Sequence, residues 1–133
     1  MRTVRDVMRC DIEVLRTTDS AADAARLLAA GDEESIPLCL PDGRLAGAVS
    51  YRDIVDRVVA RGLDPCRVSL SEIMQAGDVL GLDVDATVGE AVSVMSRHRR
   101  VRLPVLEDDR VVGLVTQRDA ARSLTFRPPW EEP

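Results

Sequence analysis

Aromatic side chains are almost absent from this chain of 133 residues, which has one Trp, one Tyr and one Phe. Its core therefore has to be built from aliphatic side chains and alanine. With 45% hydrophobic and 31% charged residues, the composition is that of an ordinary soluble domain and not of a disordered chain. The length suits one compact domain, or two small halves with a common core.

The chain also lacks an excess of positive charge. Its formal net charge is −5 and its pI is near 4.9. A general nucleic-acid binder needs a basic face to displace counterions, so the charge disfavours that class. No apolar run approaches the length that crosses a membrane, and no segment has the pattern of a secretion signal. We therefore expect a cytoplasmic protein with no membrane partner.

The residues of common catalytic and metal sites are few. Cys10, Cys39 and Cys66 fit neither a zinc spacing nor a C-x-x-C motif, and His98 is the only histidine. The sequence contains no Walker-type glycine-rich loop, paired-histidine metal signature or nucleophile elbow. It therefore predicts neither an enzyme nor a metal site. Reduced thiols are expected, and a redox switch through Cys10 and Cys39 is an alternative.

An internal repeat is the main feature that the sequence does contain. Gly47-Ala48-Val49-Ser50-Tyr51-Arg52-Asp53 recurs as Gly113-Leu114-Val115-Thr116-Gln117-Arg118-Asp119, and 113 − 47 gives an offset of 66 residues. The same offset relates Met8 to Met74. Two copies in this register indicate a duplicated unit.

Both copies predict the same order of elements, β-α-β-β-α, after a short turn with an acidic cap. Apolar residues at helical spacing place the first helix of each copy at residues 20–30 and 86–99. The closing helix of the first copy is expected to stop at Gly62. The predicted strands cover residues 13–15, 36–40 and 45–49, then 79–82, 101–106 and 111–115, and the closing helices cover 51–61 and 117–123. We divide the chain into repeat 1 (3–62), a linker (63–70), repeat 2 (71–124) and a flexible tail (125–133).

Each copy has a Val/Ile-Met doublet, a Leu/Ile-Pro-Leu/Val strand and a Gly-x-Val-Ser/Thr-x-x-Asp corner. From Thr3 to about Leu124 the chain resembles a tandem cystathionine-β-synthase (CBS) domain pair, and in particular the small stand-alone actinobacterial proteins of the hypoxic-response type. The resemblance implies a mixed α and β fold whose two repeats pack through their sheets about a pseudo-two-fold axis.

The resemblance also implies a function. Such pairs usually form homodimers and regulate a partner, which the sequence does not identify here. Their clefts bind adenosine-containing ligands, namely AMP, ADP, ATP, S-adenosylmethionine or NAD-like molecules, and no cofactor is required. The alternative is a ligand-free dimeric scaffold for protein interaction or stress response.

The family's ribose and phosphate motif maps onto Ser50 with Asp53 and onto Thr116 with Asp119. A helix N-terminus offers N–H groups and the positive end of a dipole to a phosphate. A carboxylate three residues later can accept hydrogen bonds from ribose hydroxyls. The same Ser/Thr-x-x-Asp pattern is also a helix cap, which requires no ligand. The sequence leaves both roles open.

The resemblance further implies base-contacting segments after each doublet and before each strand proline. The candidates are Cys10, Asp11, Ile12, Ser35 and Ile36 in the first copy, and Gly77, Asp78, Arg102 and Leu103 in the second. The copies differ in charge, since Asp32-Glu33-Glu34 corresponds to Arg97-His98-Arg99-Arg100. Three interpretations of these runs are open. They are solvated helix ends, or the basic run neutralises a ligand phosphate, or the acidic run of one subunit faces the basic run of another in a dimer. We expect a nucleotide to favour the cleft nearest the basic segment.

Overall fold

The structure, a computed structural model, describes residues 2–31, 34–76 and 79–125. These residues divide into two compact units. The first unit contains residues 2–12, 80–108 and 112–125, and the second contains the described residues of Glu13–Val79 together with Asp109–Val111. Each unit therefore includes a short segment from the beginning of the other repeat. We call residues 2–12 the N-terminal arm and residues 68–76 the linker arm.

The first unit is a three-stranded sheet with three helices, numbered in chain order. Its strands are β5 (Leu82–Asp83), β6 (Arg102–Glu107) and β7 (Arg110–Thr116), in that order in the sheet, and β5 runs parallel to β6. The first two residues of β7 are grouped with the second unit. The core is aliphatic, with Val4, Val105 and Val115 fully buried. The helices are α1 (Val4–Val7), α5 (Val88–His98) and α6 (Gln117–Thr125).

The second unit contains a four-stranded sheet in the order β1 (Leu15–Arg16), β2 (Ser35–Cys39), β3 (Leu45–Ser50) and β4 (Gln75–Ala76), in which only the β1–β2 pair is parallel. Leu28, Leu38 and Leu70 are fully buried in its core. A 3₁₀ turn, Pro65–Arg67, precedes the linker arm. The helices are α2 (Ala21–Ala30), α3 (Tyr51–Ile54) with its π-helical continuation (Val55–Val59), and α4 (Leu70–Ile73).

The predicted mixed α and β fold class is confirmed, and the two long helices are found within two residues of their predicted bounds. They begin after Ser20 and Thr87, whose hydroxyls accept the N–H of the residue three positions later. Gly62 has a φ of +68°, as its stop position requires. None of the helices within the described residues is long and apolar enough to cross a membrane.

The predicted first strands of both repeats were displaced towards the N-terminus. The structure has them at Leu15–Arg16 instead of 13–15, and at Leu82–Asp83 instead of 79–82. Each pairs in parallel with only two residues of the next strand, so this pairing sets the strand bounds and the apolar run does not. The predicted tail lies outside the described residues, apart from Thr125.

Both arms add an edge to a sheet in equivalent positions. In the first unit, Arg9 N–H donates to the Leu114 carbonyl at 2.8 Å, and Leu114 N–H donates back at 2.9 Å. In the second unit, Gln75 pairs with Ala48. The two pairs are related by the repeat offset, since 75 − 9 and 114 − 48 both equal 66.

The glycines of the repeated motif allow the arms to approach this closely. A Cβ added at Gly47 would lie 2.6 Å from the carbonyl oxygen of Gln75. One added at Gly113 would lie 2.7 Å from the Met8 sulfur and 2.9 Å from the Arg9 carbonyl oxygen. The arm backbone therefore occupies the space in which any other residue would place its side chain.

Candidate functional site

Each repeat has a corner where its last strand passes into its closing helix, and the first corner lies between β3 and α3. The Ser50 hydroxyl accepts the Asp53 N–H at 3.3 Å, and Asp53 Oδ2 accepts the Ser50 N–H at 2.8 Å. The Ser50 hydroxyl also donates to Oδ2, and Gln75 Nε2 donates to Oδ1 at 3.1 Å. Asp53 is buried, and its carboxylate is enclosed by three donors. The capping role considered for this motif is therefore realised here.

The second corner, between β7 and α6, has a different environment. The Thr116 hydroxyl accepts the Asp119 N–H at 3.1 Å, as in a cap. Asp119 Oδ2, however, accepts a hydrogen bond from Arg9 Nε at 2.9 Å. The Asp119 side chain is 19% exposed and that of Arg9 is 56% exposed. This carboxylate can be reached from solvent, and so can its arginine partner.

The hydrogen bond from Arg9 is the largest cause of a lowered pKa at Asp119, and the Thr116 hydroxyl and the charge of Arg122 lower it further. These effects outweigh partial burial, which acts in the opposite direction. Asp119 is therefore a charged acceptor near neutral pH, suited to hydroxyl donors.

Asp119 also lines a groove of about 300 Å³ in the first unit. That volume is at the lower end of the range for small-molecule sites. The groove combines one carboxylate with basic and hydroxyl side chains. Its other lining residues are Arg2, Val7, Arg122 and Ser123.

Sequence reasoning missed the two side chains that the arms bring to the carboxylates. Arg9 follows Met8 and Gln75 follows Met74, so each is the residue immediately after the doublet. The predicted candidates begin just after these positions, at Cys10 in the first copy and at Gly77 in the second. The repeat offset relates Arg9 to Gln75, and this relation was the available signal.

The remaining predicted site residues are distributed between the two units. Cys10, Asp11 and Ile12 follow Arg9 and so belong with the second corner, although they come from the first copy. Ser35 pairs with Ser50 at the first corner. Arg102 opens β6 in the first unit and is partly exposed.

Two predicted base contacts, Ile36 and Leu103, are 3% and 2% exposed and pack in the cores. Their side chains are therefore part of the hydrophobic packing. Gly77 and Asp78 lie outside the described residues.

The basic run lies at the end of α5, and all four of its residues are exposed. Arg99 adopts a left-handed conformation with a φ of +54°, and its N–H bonds the carbonyls of Met95 and Ser96. This agrees with the interpretation of the basic run as a solvated helix end. Asp32 and Glu33, of the corresponding acidic run, lie outside the described residues.

The thiols differ in accessibility. Cys10 and Cys66 are exposed and Cys39 is buried. Burial raises the pKa of the Cys39 thiol, which disfavours the reactive thiolate and hence the redox-switch alternative. Within residues 2–31, 34–76 and 79–125, no three His, Cys, Asp or Glu side chains are placed to hold a metal ion.

Several known proteins are similar to this chain in sequence and in fold. Hypoxic response protein 1 of Mycobacterium tuberculosis is 34% identical over 124 residues, which are 93% of this chain and 86% of that protein. The crystal structure of Hypoxic Response Protein I with two coordinated zinc ions has a TM-score of 0.74 and 33% identity, and the match covers 90% of this chain and 97% of that one.

A third similar structure is the CBS domain pair of protein MJ0100 in complex with 5′-methylthioadenosine and S-adenosyl-L-methionine. It has a TM-score of 0.70 and 25% identity, and the match covers 93% of this chain and 96% of that one. The family model for the CBS domain matches this chain twice, at residues 4–60 and 70–125. Each match spans one copy of the 66-residue repeat, and the chain therefore belongs to the CBS domain family.

Proposed function

We propose that this protein is a regulatory module that binds an adenosine-containing ligand at the second corner, where Thr116 and Asp119 contact ribose and phosphate. The difference between two equivalent carboxylates carries this proposal. Asp53 is buried among three donors, whereas Asp119 is partly exposed beside an arginine side chain that is more than half exposed. One motif thus serves as a structural cap at the first corner and as an accessible acceptor at the second.

The chemistry of the second corner suits a nucleoside. A ribose diol presents two O–H donors, and hydrogen bonds to a charged carboxylate are stronger than neutral ones. The positive end of the dipole of helix α6 lies at the same corner, which favours a negatively charged group. The CBS pair of protein MJ0100 was crystallised with two adenosine derivatives, which supports the choice of ligand class. AMP, ADP, ATP and NAD-type molecules share this adenosine group.

Regulation of a partner protein is the proposed consequence of binding. A ligand shifts a conformational equilibrium only by its difference in affinity for the two states. We propose that the bound and free forms present different surfaces to the regulated protein, without catalysis by this chain. The similarity to a protein named for the hypoxic response supports a role under stress.

A thermal-shift screen followed by calorimetric titration tests the proposal. The panel is adenosine, AMP, ADP, ATP, S-adenosylmethionine and NAD. A ligand at 100 times its Kd stabilises the native state by about 2.7 kcal/mol, which a melting curve resolves. Asp119→Asn should abolish the response, while Asp85→Asn, which changes an exposed carboxylate elsewhere in the first unit, should retain it.

Two results would contradict ligand binding at this corner. One is a wild-type melting temperature that no member of the panel raises at millimolar concentration. The other is an unchanged Kd in Asp119→Asn, which would place the ligand elsewhere.

An exposed apolar stripe supports a second candidate, a ligand-free dimeric scaffold. Tyr51, Val55 and Val59 recur every four residues along α3 and its π-helical continuation, and they are 46%, 54% and 63% exposed. Exposed apolar side chains in a row are typical of an interaction surface. We propose that this stripe is the interface of a homodimer, whether the protein is a ligand-binding module or a ligand-free scaffold. A dimer that responds to no ligand would favour the scaffold.

A further inference from the structure

We infer that Arg9 selects for charge at the second corner, so that the corner accepts adenosine ligands with a phosphate in preference to neutral or cationic ones. The inference rests on the proposed function and specifies its ligand class. It follows from the hydrogen bond between Arg9 Nε and Asp119 Oδ2, which the incoming ribose has to replace.

The ribose and Arg9 compete for the same acceptor. Asp119 Oδ2 already accepts the hydrogen bond from Arg9, so a diol that bonds both carboxylate oxygens meets the guanidinium at this oxygen. A ribose diol bound to both oxygens displaces the guanidinium from its position. Arg9 then loses its hydrogen-bonded carboxylate and keeps only the weaker attraction of Asp11, and the ligand has to compensate for this loss.

Only some adenosine ligands can compensate. The phosphate of AMP or ATP offers the guanidinium a new anionic acceptor with which it can form a bidentate pair. Adenosine offers none. The sulfonium of S-adenosylmethionine adds a positive charge near the guanidinium and so increases the cost. Arg9 therefore separates ligands that share the same base and sugar.

The structure allows the Arg9 side chain to move while its backbone stays in place. The backbone N–H and carbonyl of Arg9 are both hydrogen-bonded to Leu114, two residues before Thr116. More than half of the side chain is exposed, so an anion in solution can reach it. The guanidinium can therefore turn from Asp119 towards a phosphate without displacing the arm.

The first corner provides an internal comparison. Gln75 occupies the position equivalent to Arg9 and donates a neutral amide hydrogen bond to Asp53. Arg9→Gln therefore gives the second corner the donor that the first corner already has. This variant keeps a hydrogen-bond partner for Asp119, so we expect it to fold.

Titration of adenosine, AMP, ATP and S-adenosylmethionine into three proteins tests the inference. The proteins are the wild type, Arg9→Gln and the control Arg67→Gln. Arg67 is also an exposed arginine in an ion pair, with an 88% exposed side chain that lies 3.8 Å from Asp64. The control thus removes the same charge from the other unit.

The wild type should bind AMP more tightly than adenosine. Arg9→Gln should weaken AMP binding by about ten- to a hundredfold, the contribution of one hydrogen bond to a charged group. Its affinity for adenosine should stay the same or rise, because adenosine no longer competes with a cation. Arg67→Gln should bind both ligands as the wild type does.

The possible outcomes separate this inference from the proposed function. If Arg9→Gln keeps the wild-type ratio of AMP to adenosine affinity, the inference is wrong and the proposed function stands. If the variant weakens both ligands equally, Arg9 acts only through structure and the inference is wrong. If the wild type binds no member of the panel, both proposals fail.

Discussion

Replacing Gly47 with alanine should destabilise the protein strongly, because the linker arm occupies the space that the new methyl group needs. The added Cβ would lie 2.6 Å from the carbonyl oxygen of Gln75 and 3.1 Å from the Met74 sulfur. The methionine can rotate, but the carbonyl belongs to the backbone that pairs with β3. The arm therefore has to move outward.

The cost follows from what that movement disturbs. Overpacking in a close-packed region costs about 1–3 kcal/mol. Moving the arm also stretches the hydrogen bond from Gln75 to the buried carboxylate of Asp53, and a buried acceptor left unpaired costs about 1–3 kcal/mol. The two costs overlap, since one displacement relieves the clash and breaks the bond. We expect a loss of about 3 kcal/mol in the free energy of unfolding.

Urea unfolding, followed by circular dichroism, measures this loss as a shift of the midpoint at constant m. Gly89→Ala is the matched control. Gly89 lies in helix α5, and a Cβ added there would be 3.9 Å from its nearest neighbour, the Thr87 hydroxyl. Alanine there should stabilise by up to about 1 kcal/mol through helix propensity. The same substitution should thus have opposite signs at the two positions. A Gly47→Ala midpoint equal to that of the wild type would refute the close approach of the arm.

Three further predictions concern the corners, the stripe and the N-terminal arm. Asp53→Ala should destabilise by about 1–3 kcal/mol, because buried donors lose their acceptor, and urea unfolding should show a smaller loss for the more exposed Asp119→Ala. Val59→Asp should convert a dimer to a monomer in light scattering, whereas Val101→Asp, another exposed valine, should leave the dimer intact. Val4→Ala should cost about 2 kcal/mol and speed hydrogen exchange in residues 80–108 more than in residues 13–31, because Val4 is buried in the first unit.

The elements that were predicted well are those with local causes. The helices after Ser20 and Thr87 have a capping side chain and apolar residues at helical spacing, which act within a few positions. Such features depend little on the rest of the chain.

The sheet that each arm joins could not be predicted, because a local sequence pattern does not determine the pairing partner of so short a strand. Leu70 and Val4 are both fully buried, but each packs in the core of the other repeat. Leu70 packs with residues of the first repeat, and Val4 packs with residues of the second. Their burial is decided by tertiary packing. The same limit applies to Ile36 and Leu103, where position relative to a proline suggested a ligand contact and the strand directs the side chain inward.

The candidate site illustrates this limit most directly, because Ser/Thr-x-x-Asp is the same motif at both corners. Its capping hydrogen bond forms in both, and such a cap is worth about 1 kcal/mol to its helix without any ligand. What separates the corners is a side chain outside the motif, neutral at Gln75 and cationic at Arg9. Either side chain can donate to the carboxylate, so the fold tolerates both. Arg9 is 110 positions away from Asp119 in sequence, and the choice between a closed cap and a charged, accessible corner therefore depends on the arm and not on the motif.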